Sequence, residues 1–288
     1  METSNLPDSI KTYPDLNMVA LKQGKHKELR LWYLLHALDE KGGGRVMKDA
    51  AQKALEGIMS YEVFRTTLLD GQGDFWEVRR RKESKGGGEL IELRGLPKVA
   101  MALEVARLRK DPVLIPLDAF PKMDEFRAFL FGSFFTHSEG KEPNPISRET
   151  LKQLSGLSVP TQVKYDKIAG TEVTKNVGVV GPSGGIPPSD MQAEGYYITE
   201  VDGQLQLCKR MPNSYSSDLP RAPRGRMKKA NQKLAACRNE GRETVTERRY
   251  FRDPRSLLRS KNRIRTPYLQ TGFFGEVVLW EEQCFDVF

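Results

Sequence analysis

The stretch that most constrains the fold is ISRETLKQLSGLSVPTQVKYDKI, residues 146–168, where two short helical patterns meet at a Gly156-Leu157-Ser158 step. Ser147 can cap the first helix, Arg148 to Leu154, because its hydroxyl can accept from an otherwise unpaired backbone N–H. Ile146 and Leu151 have the spacing of a hydrophobic staple. Ser158 can cap the second helix, whose first turn holds Pro160, where a missing N–H does no harm. On a helical wheel Leu157, Thr161, Tyr165 and Ile168 share a face expected to pack inward, with Lys164 at its margin. Gln162, Val163, Asp166 and Lys167 fall opposite. A helix lying in a major groove needs such residue types: Gln pairs with adenine, Lys with guanine or phosphate, and Val with a thymine methyl. Gln162, Val163, Lys164 and Lys167 are therefore the expected base-reading residues. The same face also suits the solvated side of an ordinary helical hairpin.

A second arrangement of this kind lies earlier in the chain. Lys25 to Glu40 carries Leu31, Leu34, Leu35 and Leu38 at helical spacing, and glycines 42–44 end it. Arg45 to Met47 is expected as a very short strand, and Lys48 to Ile58 and Tyr61 to Asp70 as helices, the latter capped by Ser60. FWEVRRR (75–81) and ELIELR (89–94) are strand-like around a KESKGGG tip. A further helix is expected from Pro97 to Arg109. Helices over 122–136, 148–154 and 158–168 then precede a strand over 171–180, a GPSGGIPP tip, and two strands flanking Asp202-Gly203, a strong hairpin signal.

LKQLSGLSVPT resembles the helix-turn-helix of winged-helix DNA-binding proteins, whose pattern is met by Leu151, Leu154, Gly156, Leu157, Ser158 and Thr161. One departure is Gln162, where that family usually has an apolar residue. The earlier unit is similar but lacks the Gly-hydrophobic-Ser turn. The resemblance implies an α+β fold of two winged-helix domains in tandem, with a basic C-terminal extension ending in a strand. In layout the chain is also similar to plasmid-type replication initiators. The expected division is a flexible arm (1–24), a first winged helix (25–110), a linker (111–121), a second winged helix (122–210), a basic arm (211–265) and a docking segment (266–288). In the first unit Arg65 and Thr66 would face bases, and Arg79, Arg81, Lys82 and Lys85 of the wing would face phosphates.

Charge supports an acidic partner. The net charge is +8, and residues 221–265 alone hold 16 Lys and Arg against 4 Asp and Glu, leaving the remainder at −4. Within that segment Arg224, Arg226, Lys228, Lys229, Arg248, Arg249 and Arg252 are expected on backbone phosphate, with salt-dependent binding. Tyr250 and Phe251 among the arginines also suit stacking on unpaired bases. A basic linker that only tethers a strand-like FFGEVVLW (273–280) is the plainer alternative.

Other function classes find little support. Three scattered cysteines, Cys208, Cys237 and Cys284, argue against a disulfide framework or a cysteine zinc site and suit a reducing cytosol. His26, His36 and His137 have no metal-binding spacing, and no phosphate-cradling GxxxxGK[ST] loop occurs. Neither an enzyme, a cofactor nor a metal is expected. The polar N-terminus does not read as a signal peptide, and no apolar run approaches the roughly 18 residues that span a bilayer. Phe126, Phe129, Phe131, Phe134 and Phe135 exceed what one helix face can hold, so a homodimer or protein contact is expected there. The expectation is a cytoplasmic, nucleoid-associated bacterial protein that binds double-stranded DNA as an initiator or regulator of a mobile element. A protein adaptor or an RNA-binding protein is the alternative.

Overall fold

The computed structural model describes residues 6–39, 42–81, 87–137, 145–182, 196–201, 204–225 and 227–247. Helix and strand are mixed, as an α+β chain requires.

Of the expected flexible N-terminal arm, residues 9–23 are instead part of the core. Strand β1 (Ser9–Thr12) leads into helix α1 (Pro14–Gln23), and Ile10, Leu16, Met18, Ala20 and Leu21 are buried. Pro14 occupies the first helical turn and so starts the helix rather than breaking it. Helix α2 (His26–Leu38) follows. Fully buried Asn17 donates to Ser133 Oγ at 2.9 Å and accepts from Tyr33 Oη at 2.8 Å, which ties α1 to α2 and to the turn at residue 133.

The first unit then runs β2 (Arg45–Met47), α3 (Lys48–Leu55), α4 (Tyr61–Asp70), β3 (Trp76–Arg80) and β4 (Glu89–Leu93). Its antiparallel sheet has the order β2-β4-β3. Ser60 caps α4 as expected, accepting from Val63 N–H at 3.4 Å. Trp76 is buried and donates its indole N–H to Leu68 O at 2.9 Å, fixing α4 to the sheet. Helix α5 (Leu96–Ala102) is shorter than the expected 97–109. Glu104 takes φ 61, and Val105 N–H returns to Ala100 O at 2.8 Å. That is a Schellman-type stop, and the burial of Val105 rewards it.

Residues 111–121, expected as a linker, are also core. Strand β5 (Val113–Pro116) pairs antiparallel with β1, and Val113, Ile115, Ala119 and Phe120 are buried. The other side of β5 meets residues 220–222, through Leu114 N–H to Pro220 O and Ala222 N–H to Pro112 O, both 2.7 Å.

Helix α6 (Met123–Gly132) continues into a 3-10 turn, Ser133–Phe135. Phe126, Phe131 and Phe135 are buried within the chain, and Phe129 and Phe134 are half-buried against the same core. The partner surface expected from these five residues is therefore largely spent internally. Helix α1 and the stacked Tyr215 ring, 4.7 Å from Phe135, supply the cover that the sequence alone did not reveal.

Helices α7 (Arg148–Ser155) and α8 (Val159–Ala169) form the expected corner. The single strand expected over 171–180 is two. Strand β6 (Glu172–Thr174) pairs with β10 (Ser214–Ser216), while β7 (Val177–Pro182), β8 (Tyr196–Val201) and β9 (Gln204–Arg210) form a sheet of order β7-β9-β8. Asn176 makes the break by donating to Pro212 O and Ser214 Oγ, each at 2.8 Å. The β8–β9 register pairs Val201 with Gln204, so two residues connect the strands, as Asp202-Gly203 suggested. Residues 211–225 are not a free arm, since Tyr215 and Ala222 are buried. Helix α9 (Met227–Glu247) packs Met227, Ala230 and Leu234 against α5, and Asn231 bonds both N–H and C=O of Leu108 at 2.9 Å. One apolar cluster thus runs from Ile10 to Leu234.

Candidate nucleic-acid interface

The α7–α8 corner is built by local chemistry. Ser147 Oγ accepts from Thr150 N–H at 3.0 Å and Ser158 Oγ from Thr161 N–H at 3.4 Å, so both helices start on side-chain caps. Gly156 ends α7 at φ 71, a left-handed conformation that glycine adopts without steric cost. A Cβ there would stand 3.2 Å from Lys22 Cα, so the turn is also seated on the end of α1. Ser155 braces the turn, donating to Leu151 O at 2.7 Å and accepting from Leu157 N–H at 3.2 Å.

Helix α8 presents a different face from the one its wheel implied. Gln162 is fully buried, and its amide donates to Arg148 O at 3.1 Å and Leu157 O at 3.0 Å. It is a strut across the corner and no base reader. Asp166 is buried too, with Oδ2 2.6 Å from Arg148 Nη2. Apart from this ion pair, neither Asp166 oxygen has a partner among the described residues. Burial raises the Asp166 carboxyl above the usual carboxylate range, and Arg148 opposes the shift. The guanidinium of Arg148 also sits 4.8 Å from the Tyr215 ring centroid. Together these contacts fix the angle at which α8 leaves the corner.

Of the expected base readers, Val163 (41% exposed), Lys164 and Lys167 point outward together. Lys164 is paired with Asp124 of α6 at 2.6 Å, both side chains well exposed. That pairing holds the Asp124 carboxyl below its ordinary range and the Lys164 ammonium above its own.

The remaining expected contacts are dispersed. Arg65 and Thr66 are exposed on α4, but Thr66 Oγ1 is turned onto Glu62 O at 2.8 Å, and Tyr61, Val63 and Leu69 are exposed on the same helix. That mixture does not match a base-reading face. Arg79 on the β sheet pairs with Glu92 at 3.0 Å, which Arg45 also approaches at 3.6 Å. Arg81 is exposed, with Nη1 3.6 Å from Met47 Sδ. Arg224 is ion-paired with Asp111 and so braces residues 221–225 against the core. Lys228 and Lys229 are exposed on α9, away from its buried Met227–Ala230–Leu234 side. Lys82, Lys85, Arg226, Arg248, Arg249 and Arg252 lie outside the described residues, as does the apolar 273–280 segment.

Two cation–aromatic pairs on the β8–β9 hairpin were missed in the sequence. Lys209 Nζ lies 4.5 Å from the Tyr196 ring centroid and donates to its hydroxyl at 3.1 Å, and Arg210 lies 5.6 Å from the Tyr197 ring. The signal was present: an Asp-Gly hairpin registers Tyr196 directly opposite Lys209.

Among the described residues no group of three or more His, Cys, Asp or Glu side chains is placed to hold a metal ion, and no helix is long and apolar enough to cross a membrane. Comparison of the chain with protein-family models, curated proteins and solved structures gives no match.

Proposed function

We propose that this chain binds double-stranded DNA sequence-specifically and without catalysis, with α8 as the helix that enters the major groove. The observation that carries the reading is the exposed face of α8. Val163, Lys164 and Lys167 stand out from a corner whose caps, Gln162 strut and Arg148–Asp166 pair hold the helix at a set angle. An apolar group beside two cations suits a thymine methyl next to guanine or phosphate. The β8–β9 hairpin adds Lys209 and Arg210 as backbone contacts. The first unit's order of helix, strand, two helices and two strands, with sheet order β2-β4-β3, supports a winged-helix reading of that half. On this reading the chain acts in a bacterial cytoplasm as an initiator or regulator of a mobile element.

The test is base preference in the V163A/K167A variant. Loss of base contacts costs about 1–3 kcal/mol at specific sites and relaxes selectivity at the contacted positions. Unchanged preference would remove α8 from the interface. A second reading, protein binding, is favoured by one observation: α4 leaves Tyr61 58% and Leu69 68% exposed.

A further inference from the structure

Helix α4 occupies in the first unit the place that α8 occupies in the second, yet its surface differs in kind. Tyr61, Arg65 and Leu69 recur every four residues and so form one stripe, with Glu62 and Thr66 beside it. Val63 adds a third exposed apolar side chain. On α4 itself Glu62 and Asp70 are exposed, against Arg65. A duplex gains little from the apolar groups, and the two carboxylates oppose its phosphates. The surface calls for an occupant that is both cationic and apolar.

We propose that α4 docks the chain's own basic segment, residues 248–265. That segment contains eight Lys and Arg against one Asp, interleaved with Tyr250, Phe251, Leu257, Leu258 and Ile264. Its charge and apolar content complement the α4 face. The same division holds over the whole molecule, because the chain outside residues 221–265 carries −4 and that segment +12. Tethering favours this occupant over a separate partner. The segment continues from α9, which packs on α5, the helix directly after the first unit's sheet. Eighteen extended residues reach up to about 60 Å, against a radius of gyration of about 19 Å for a chain of this length. Because residue 248 follows α9 directly, the segment is confined near the molecule's surface, which raises its local concentration above that of a separate partner. Duplex phosphate competes for the same arginines, so docking holds back the segment's non-specific affinity until DNA is present.

The experiment uses the full chain without nucleic acid, so its failure leaves the DNA reading untouched. Tyr61 is replaced by the photo-crosslinker p-benzoylphenylalanine, a change its exposure tolerates, and the linked peptides are identified by mass spectrometry. The expected result is links within one chain to peptides of residues 248–265, lost in E62K/D70K and at high salt. In parallel, trypsin should cut after Arg255 and Arg259 about tenfold faster in E62K/D70K and in Y61S/L69S than in the unsubstituted chain, as expected when opening limits cleavage. Links between two chains through α4 would overturn the proposal in favour of a second copy. Absence of links to 248–265, with circular dichroism unchanged, would overturn it outright.

Discussion

Replacing Gly156 by Ala tests the packing of α1 under the helical corner, with Gly170→Ala as its internal control. Both glycines cap helices in the left-handed region, Gly156 at φ 71 and Gly170 at φ 65, so alanine costs about 1–2 kcal/mol at either for conformation alone. Their surroundings separate them. No heavy atom comes within 4 Å of a Cβ at Gly170, whereas a Cβ at Gly156 meets Lys22 Cα at 3.2 Å and Lys22 O at 3.5 Å. Carbon atoms prefer about 3.5–4.0 Å, and backbone cannot swing aside as a side chain can. Moving the end of α1 adds an overpacking cost of about 1–3 kcal/mol. G156A should therefore lose about 2–5 kcal/mol in urea unfolding and G170A about 1–2. Equal losses would refute the seating of α1 on the turn, and with it the account of residues 9–23 as part of the core.

Three further outcomes follow from the described contacts. R148M leaves Asp166 buried without its cation and should cost about 3 kcal/mol, whereas R148M/D166L should recover most of that, since an apolar pair removes the stranded charge; urea unfolding of both variants decides, and a double variant worse than the single would contradict it. Burial, with Arg127 and Lys27 nearby, lowers the His26 pKa from 6.5 to about 4. The unfolded chain then takes up a proton as pH falls through 6.5 while the folded chain waits until about 4. Stability is full above 6.5 and declines across that window, by about 1–2 kcal/mol once partial exposure of the ring is allowed for. H26Q should flatten this decline, and an unchanged acid limb would refute it. D124A frees Lys164 from its ion pair, so DNA affinity should rise and the salt slope steepen by about one phosphate contact; titration at several salt concentrations measures both.

What was legible in the sequence was what local signals write. Ser60, Ser147 and Ser158 cap the helices expected of them, Gly156 makes the corner, and β8 and β9 pair with only two residues between them. What was illegible depended on partners distant in sequence. Strand β1 is a strand because β5, about a hundred residues on, pairs with it. Residues 111–121, expected as a linker, hold β5 for the same reason. The α8 face was misassigned for the same reason. A wheel ranks residues by polarity, and Gln162 and Asp166 are polar, but on that side the Gln162 amide donates to Arg148 O and the Asp166 carboxylate meets the Arg148 guanidinium. Gln162 is thus a hydrogen-bonded strut across the corner.

The most direct test of the central claim is selection of the purified 288-residue chain on a random duplex pool at two salt concentrations, with sequencing of what is retained. The account predicts an enriched motif that survives the higher salt and is weakened in V163A/K167A. Retention without a motif, abolished at the higher salt, would contradict it and leave only the basic segment in contact with nucleic acid.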